Sequence, residues 1–192
     1  MCWGVWCNQP VAVVDGATQF NSYTLSRIAA LLAIPPKVLL QRTHVTRSFT
    51  AFQTEAAITT KLRRFLAATP CRTVVILGLL NTYYDEQIKP HECRQSLQRI
   101  MQTLTTLAAE NIHTLIADVE VRDAPPGKEM LFGLVHDAAN VIVRIGEHGF
   151  EFHKLFATPH EEKGPLPWDA TTIPSRISST GTESHGTNFA ER

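Results

Sequence analysis

Apolar and amphipathic segments alternate along this chain, and the alternation predicts strands that are each followed by a helix. Short apolar runs rich in valine and isoleucine are typical of strands buried inside a parallel sheet. We expect such strands at residues 11–15, 37–45, 73–80, 113–119 and 140–145. The run at 73–80 is the most apolar, so we place it at the centre of the sheet.

Apolar positions at three- and four-residue steps predict the intervening helices. The first helix begins after Asn21, which can cap it, and ends before Pro35. A second amphipathic stretch covers residues 52–70. The clearest helix spans residues 92–110, and a shorter one is expected at 130–138.

Strands that alternate with helices predict an α/β fold of three layers, in which helices cover both faces of a mostly parallel sheet. Residues 146–149 are typical of a tight turn, so the last strand, at 150–156, is expected to form an antiparallel hairpin at the edge of the sheet. Beyond residue 158 the chain is rich in Pro, Ser, Thr, Gly and Glu. We therefore predict one domain over residues 1–158 and a disordered tail over 159–192.

Composition and charge narrow the possible environments. Lys and Arg total 18 and Asp and Glu total 18, so no global field draws the chain toward nucleic acid or an anionic membrane. No apolar run approaches the ~20 residues of a membrane span. The four cysteines have neither the spacing of a zinc site nor the density of a disulfide scaffold. We expect an intracellular protein of the nucleus or cytoplasm, without membrane contact and without a bound metal.

Several segments, taken in order, resemble those of the RecA superfamily, especially the archaeal and eukaryotic recombinases and their non-filament paralogues. In that family a strand ends in Asp-Thr-Glu-Gly-Thr-Phe, and here VAVVDGATQF occupies residues 11–20. The family's strand that ends in the Walker B aspartate is similar to TVVILGLL at 73–80, and its Arg-Gln-x-Leu helix start is similar to CRQSL at 93–97. The strands TLIADVEV and HDAANVIVRI follow in the family's order. The resemblance covers residues 11–156 and implies a RecA-like domain.

The same resemblance implies that the chain does not hydrolyse ATP. The phosphate-binding sequence G-x-x-x-x-G-K-[ST] does not occur, and the family's water-activating glutamate falls at Ala17. The Walker B aspartate falls at Gly78, and a sensing glutamine falls at Glu120. We therefore expect no enzyme activity and no cofactor. Two alternatives stay open: a purely architectural likeness, or a phosphate loop upstream of a truncated start.

The resemblance also marks two loops in which recombinases contact DNA. Tyr83, Tyr84 and Lys89 lie in the first loop, where aromatic stacking beside a cation suits a single strand. Arg122 and Lys128 lie in the counterpart of the second loop. These residues are our candidate DNA-binding set. Acidic residues also occur in the first loop, so a solvated loop or a protein interface is an equally good interpretation.

These features predict a non-catalytic RecA-like paralogue that supports homologous recombination or DNA repair through protein contacts and weak DNA contact. A RecA-like sheet without its first strand would expose backbone groups and an apolar face, so we expect a partner chain. That partner is a RecA-like paralogue or another subunit, with single-stranded DNA as a further partner. The alternative is a scaffold subunit of a ring assembly, like the inactive RecA-like subunits of the Elongator complex, without a DNA function. A positive groove formed by the two loops would favour DNA contact, and dominant acids would favour the scaffold.

Overall fold

The computed structural model describes residues 9–119, 124–146 and 149–155. Its centre is a four-stranded parallel sheet in the order β2-β1-β3-β4. The strands are β1 (Val11–Asp15), β2 (Thr43–Arg47), β3 (Thr73–Leu77) and β4 (His113–Ala117). Because β3 lies between β1 and β4, the central position expected for the most apolar run is confirmed.

Two helices cover one face of the sheet. α1 (Ser22–Leu31) begins at Asn21, whose side-chain oxygen accepts hydrogen bonds from the N–H groups of Tyr23 and Thr24 and so caps the helix as expected. α2 (Pro36–Arg42) follows after a short turn. The core on this face consists of Val11, Val13, Leu25, Ala29, Leu39 and Val75.

The other face is covered by a longer set of helices. α3 (Ala51–Ala56) continues through the π-helical turn Ala57–Leu62 into α4 (Arg63–Ala68). α5 (Pro90–Ala109) and α6 (Met130–Ala138) complete the layer. The three-layer α/β fold with a parallel sheet is therefore confirmed. The core on this face is the larger one and includes Ala12, Ile58, Val74, Ile76, Leu97, Ile100 and Leu131.

α5 is amphipathic along its whole length. Leu97, Ile100, Leu104 and Leu107 are buried on one side at the predicted three- and four-residue spacing. The positions between them carry mostly polar side chains that face solvent. Within the described ranges, no helix combines the length and the apolar content that a membrane crossing requires.

The strand expected at residues 37–45 is wrong in its first half. Residues 36–42 form α2, and β2 begins only at Thr43. Pro36 stands at the start of the helix, where its missing N–H and fixed φ favour helix initiation. Leu39, on the side of this helix that faces the sheet, is fully buried. Burial of one leucine against β1 and β3 therefore outweighs the strand-like composition of this segment.

Two further strands, β5 (Val141–Gly146) and β6 (Gly149–Leu155), pair antiparallel as a hairpin. They form a two-stranded sheet of their own, so the described pairings do not include the expected extension of the main sheet. Residues 159–192, for which we expect a disordered tail, lie outside the described residues.

β4 is one edge of the four-stranded sheet, and its burial alternates along the strand. Thr114 and Ile116 are half-buried, whereas Leu115 is 56% exposed. β1, by contrast, is buried at every position. Strands inside a parallel sheet are normally covered on both faces, so the described part of the chain covers β4 incompletely.

Candidate functional site

Ligand sites in open parallel sheets lie beyond the carboxyl ends of the strands, at the point where the strand order reverses. Here that point falls between β1 and β3, because the chain leaves β1 toward β2 on one side and leaves β3 toward β4 on the other. We call the loops that follow these strands the carboxyl edge. Backbone hydrogen bonds join them: Gly16 N–H to Leu77 O and Gly78 N–H to Ala117 O, both 2.8 Å, and Ser48 N–H to Asp15 O, 3.0 Å.

Two glycines bring the loops after β1 and β3 into close contact. A Cβ atom added at Gly16 would lie 2.8 Å from the Gly78 carbonyl oxygen, and one added at Gly78 would lie 2.2 Å from Ala17 Cβ. Gly78 also has a φ of +58°, in the left-handed region that favours glycine. The positions where the RecA resemblance would place a glutamate and an aspartate therefore hold only a methyl group and a hydrogen, packed together.

Asp15 ends β1 and folds its carboxylate back onto its own turn. The side chain is buried and accepts hydrogen bonds from the N–H groups of Gln19 and Phe20, at 2.9 and 3.1 Å. The Arg47 guanidinium on β2 lies 3.5 Å from the same carboxylate. Asp15 therefore stabilises the turn after β1.

A second carboxylate, Asp118, lies one residue beyond β4 and is absent from the predicted site residues. It accepts hydrogen bonds from Leu80 N–H at 2.7 Å and from Val119 N–H at 2.9 Å. Burial raises the pKa of Asp118 above its ordinary value, and the two N–H groups oppose that rise. The sequence does contain a signal for it, because Asp118 ends the apolar run TLIAD as Asp15 ends VAVVD.

A cavity of about 350 Å³ opens on the carboxyl edge, between the loops that follow β1, β2 and β3. We call it the carboxyl-edge cavity. Of the described residues that line it, none is basic. The lining includes two aromatic residues, three Ser or Thr hydroxyls, an amide and a carboxylate, from Phe49, Tyr84, Thr18, Ser48, Thr82, Asn81 and Asp85.

A chain of hydroxyl groups supports this cavity from the interior. Thr54 donates to Ser48 Oγ at 2.9 Å or to Thr50 O at 3.0 Å, and its oxygen lies 3.1 Å from the Thr82 hydroxyl. Because a hydroxyl has a single proton, Thr54 can donate to one of these partners at a time, and either hydroxyl can be the donor in the pair of Thr54 and Thr82. Sequence reasoning missed this chain, since its members come from three separate segments and form no spaced motif.

The structure buries two of the predicted DNA-binding residues, Tyr83 and Lys128, and brings them into contact. Tyr83 is fully buried, its hydroxyl lies 2.8 Å from Ser96 Oγ, and burial raises its pKa to about 12. Lys128 is also buried, and its ammonium group donates to the carbonyl oxygens of Tyr83, at 3.0 Å, and of Asp85. Neither side chain has a free surface for a base or a phosphate. In this conformation both residues hold the loop after β3 in place.

The rest of the candidate set is more accessible. Tyr84 is half-buried beside the carboxyl-edge cavity, and Lys89 is exposed at the start of α5. Arg122 lies outside the described residues. The exposed charged side chains of the first loop are Asp85, Glu86 and Lys89, so acids outnumber bases there. DNA binding stays a prediction.

Glu55 joins α3 to α5 next to this loop. Its carboxylate accepts hydrogen bonds from Arg99 Nε and from Ser96 Oγ, both at 2.5 Å. The hydrogen bond from Arg99 holds the pKa of Glu55 below its ordinary value, against the opposing effect of burial. Through Ser96 the network reaches the buried Tyr83 hydroxyl. Glu55 thus anchors the tyrosine that positions the first loop.

A larger cavity, of about 570 Å³, lies along the outer side of α5 and reaches Leu134 of α6. The described residues around it carry amide, hydroxyl and apolar groups and no charge. Across the part of the chain that the structure describes, no three His, Cys, Asp or Glu side chains form a metal-binding group.

No protein-family model matches this chain, and no curated protein matches it either. The resemblance to the RecA superfamily rests on the residues quoted above.

Proposed function

We propose that this chain is a non-catalytic RecA-like subunit that supports homologous recombination or DNA repair through contacts with other proteins and weak contact with DNA. The two segments most important to the RecA resemblance, residues 11–20 and 73–80, begin with β1 and β3, which are hydrogen-bonded neighbours. A glutamate and an aspartate that act on one nucleotide must lie close together, and the ends of neighbouring parallel strands can provide that proximity. The placement of the two segments is therefore compatible with descent from a nucleotide site.

The contact between Gly78 and Ala17 carries this proposal. Hydrolysis at this edge would need an oxygen ligand for Mg²⁺ and a group that orients water. Neither residue supplies such a group, and the 2.2 Å separation between the two Cβ positions leaves no room for a side chain at residue 78. The loops form a structural contact where a RecA-like enzyme would need a reaction centre.

Two surfaces support a role in protein assembly. Among the described strands, β4 ends the four-stranded sheet and has no partner on its outer edge, where Leu115 is exposed. On α1, Tyr23 and Leu31 are 81% and 80% exposed and lie eight residues apart, on the same side of the helix. Strand edges and exposed apolar side chains of this kind are typical of chains that bind a partner.

The loop charges favour a second candidate function, a scaffold subunit of a ring assembly without DNA contact. Asp85 and Glu86 outnumber Lys89 on the exposed part of the first loop, and Lys128 is buried. A surface that binds a nucleic-acid backbone needs an excess of positive charge. The described residues therefore support protein contact more strongly than DNA contact.

Fluorescence polarisation of labelled single-stranded DNA tests the recombination proposal. The full chain is titrated at two salt concentrations, with and without ATP and Mg²⁺. We expect weak binding that falls as salt rises and does not depend on ATP. Lys89→Gln should weaken it further, whereas Lys61→Gln, a change at an exposed lysine on the π-helical turn, should not.

The other outcomes are informative in different ways. If no binding is found under any condition, the proposed direct contact with DNA is refuted and the ring-scaffold candidate is favoured. If binding requires ATP, the proposal of a non-catalytic subunit is contradicted in both of its forms.

A further inference from the structure

Among the polar side chains that line the carboxyl-edge cavity, the Asp85 carboxylate can only accept hydrogen bonds, whereas the hydroxyl and amide groups can donate or accept. Thr82 forms a hydrogen bond with Thr54 in which either hydroxyl can be the donor, and in both cases the Thr82 oxygen keeps a lone pair that can accept from a ligand. Asp85 uses Oδ1 to accept a hydrogen bond from Gln87 N–H at 2.9 Å, which leaves Oδ2 for another donor. A ligand that donates hydrogen bonds fits these groups best.

The charged side chain that lines the cavity among the described residues is negative. Asp85 lines it, and Asp118 is close enough to Tyr84 that its charge, after burial, raises the pKa of that tyrosine. Two basic groups on the adjoining segments are already engaged, because Lys128 donates to backbone carbonyl oxygens and Arg47 pairs with a carboxylate on β1. Lys128 keeps its positive charge, but it is buried and does not line the cavity, so the side-chain charge that a ligand meets there is that of Asp85, which favours a cation.

Aromatic residues complete the cavity. Phe49 is 68% exposed, so its ring is not held in the core and is available to a ligand. Tyr84 lines the same cavity and is half-buried. The faces of such rings attract guanidinium and ammonium groups. The volume of about 350 Å³ is near the lower end of the range for small-molecule sites, roughly 300–1,000 Å³.

We infer that the carboxyl-edge cavity binds an organic cation, a guanidinium or alkylammonium group, between its aromatic residues and its acceptor oxygens. Asp85 supplies the opposite charge, Thr82 accepts a hydrogen bond, and Phe49 covers the ligand. The cation is either the side chain of a protein partner or a free polyamine. The inference goes beyond the proposed assembly role and does not depend on the RecA resemblance.

Nuclear magnetic resonance of the ¹⁵N-labelled full chain tests this inference. Methylguanidinium is titrated in parallel with methylurea, a neutral molecule of similar shape. We expect methylguanidinium to shift amide signals saturably at residues 16–18, 48–49 and 81–85, and methylurea to leave them unchanged.

Matched variants assign the effect to the cavity. Asp85→Asn and Phe49→Ala should each weaken methylguanidinium binding by about two- to fivefold, as expected for one exposed ion pair and one exposed cation–π contact. Glu86→Gln and Phe52→Ala change an exposed acid and an exposed phenylalanine that do not line the cavity, and should not alter it.

A comparison of N-acetylarginine methylamide with spermidine identifies the source of the cation. Tighter binding of the arginine derivative assigns the site to a protein side chain, and tighter binding of spermidine assigns it to a free polyamine. Equal shifts with methylurea, an absence of saturation, or unchanged affinity in both Asp85→Asn and Phe49→Ala would overturn the inference.

Discussion

Gly78 combines a left-handed φ with close packing against Ala17, so any side chain at this position meets both backbone strain and a steric clash. We expect Gly78→Ala to lower the free energy of unfolding by about 2–4 kcal/mol. Urea denaturation followed by circular dichroism measures the change. Adding Ala17→Gly removes the clashing atom and should recover the steric part of the loss. A Gly78→Ala protein as stable as the parent would contradict the contact.

Lys128 connects two segments through its ammonium group, which donates to the carbonyl oxygens of Tyr83 and Asp85. Methionine has a similar volume but cannot donate. We expect Lys128→Met to lower the free energy of unfolding by about 1.5–3 kcal/mol, the usual contribution of hydrogen bonds to a charged group. Lys89→Met, at an exposed lysine, is the control and should change it by less than ~0.5 kcal/mol. Unchanged stability in Lys128→Met would contradict this expectation, because it would show that these bonds do no more than offset the cost of burying the charge.

Single residues differ in how far the sequence reveals their role. The sequence alone shows that Ala17 and Gly78 carry no acidic group. It also indicates where they lie, because each comes just after an apolar run that predicts a strand. The burial of Tyr83 and Lys128 cannot, because it depends on contact between segments 45 residues apart. A tyrosine and a lysine in polar loops resemble surface residues until that contact is known.

At the scale of elements, Glu55 makes the connection between α3 and α5 sensitive to pH. Its folded pKa lies below the ordinary value of 4.5, chiefly because Arg99 donates a hydrogen bond to it. A lowered folded pKa gives stability that is complete above the unfolded pKa and is lost as pH falls through the folded pKa. We expect Glu55→Gln to reduce stability at pH 7 and to flatten the decline of Tm below about pH 4.5.

Glu110→Gln is the control for this prediction. Glu110 pairs with Arg63 at 3.1 Å, but both side chains are almost half exposed, so the pair is screened by solvent. Its loss should leave the dependence of Tm on pH nearly unchanged. If Glu55→Gln and the parent protein showed the same acid decline, the proposed role of the Glu55–Arg99 pair would be refuted.

Most elements follow from the periodicity of apolar residues, and the exceptions have physical causes. The stripe of buried leucines and isoleucine in α5 is long enough to identify the helix without ambiguity. α2 has only seven residues, and within so short a segment a buried helix and a buried strand look alike. The apolar pattern continues without a break through Ala57–Leu62, so no sequence signal distinguishes this π-helical turn from the α-helices on either side.

At the scale of the whole molecule, alternating strands and helices are sufficient to predict the fold class. They do not determine the order β2-β1-β3-β4, which arises from the direction in which each crossover packs. The carboxyl-edge cavity depends on that order, since its lining comes from loops after three strands. The sequence could therefore predict a parallel sheet, but not which loops meet beyond it.

Nucleotide binding and turnover by the purified full chain test most directly whether it is a non-catalytic subunit. A fluorescent ATP analogue reports binding in the presence of Mg²⁺, and phosphate release reports turnover, each with and without single-stranded DNA. We predict no saturable binding and no phosphate release above that of a heat-denatured sample. Saturable binding together with hydrolysis that co-purifies with the chain would contradict the proposal of a non-catalytic subunit. Ala17 and Gly78 supply neither a ligand for Mg²⁺ nor a group that activates water, so they could not account for such activity.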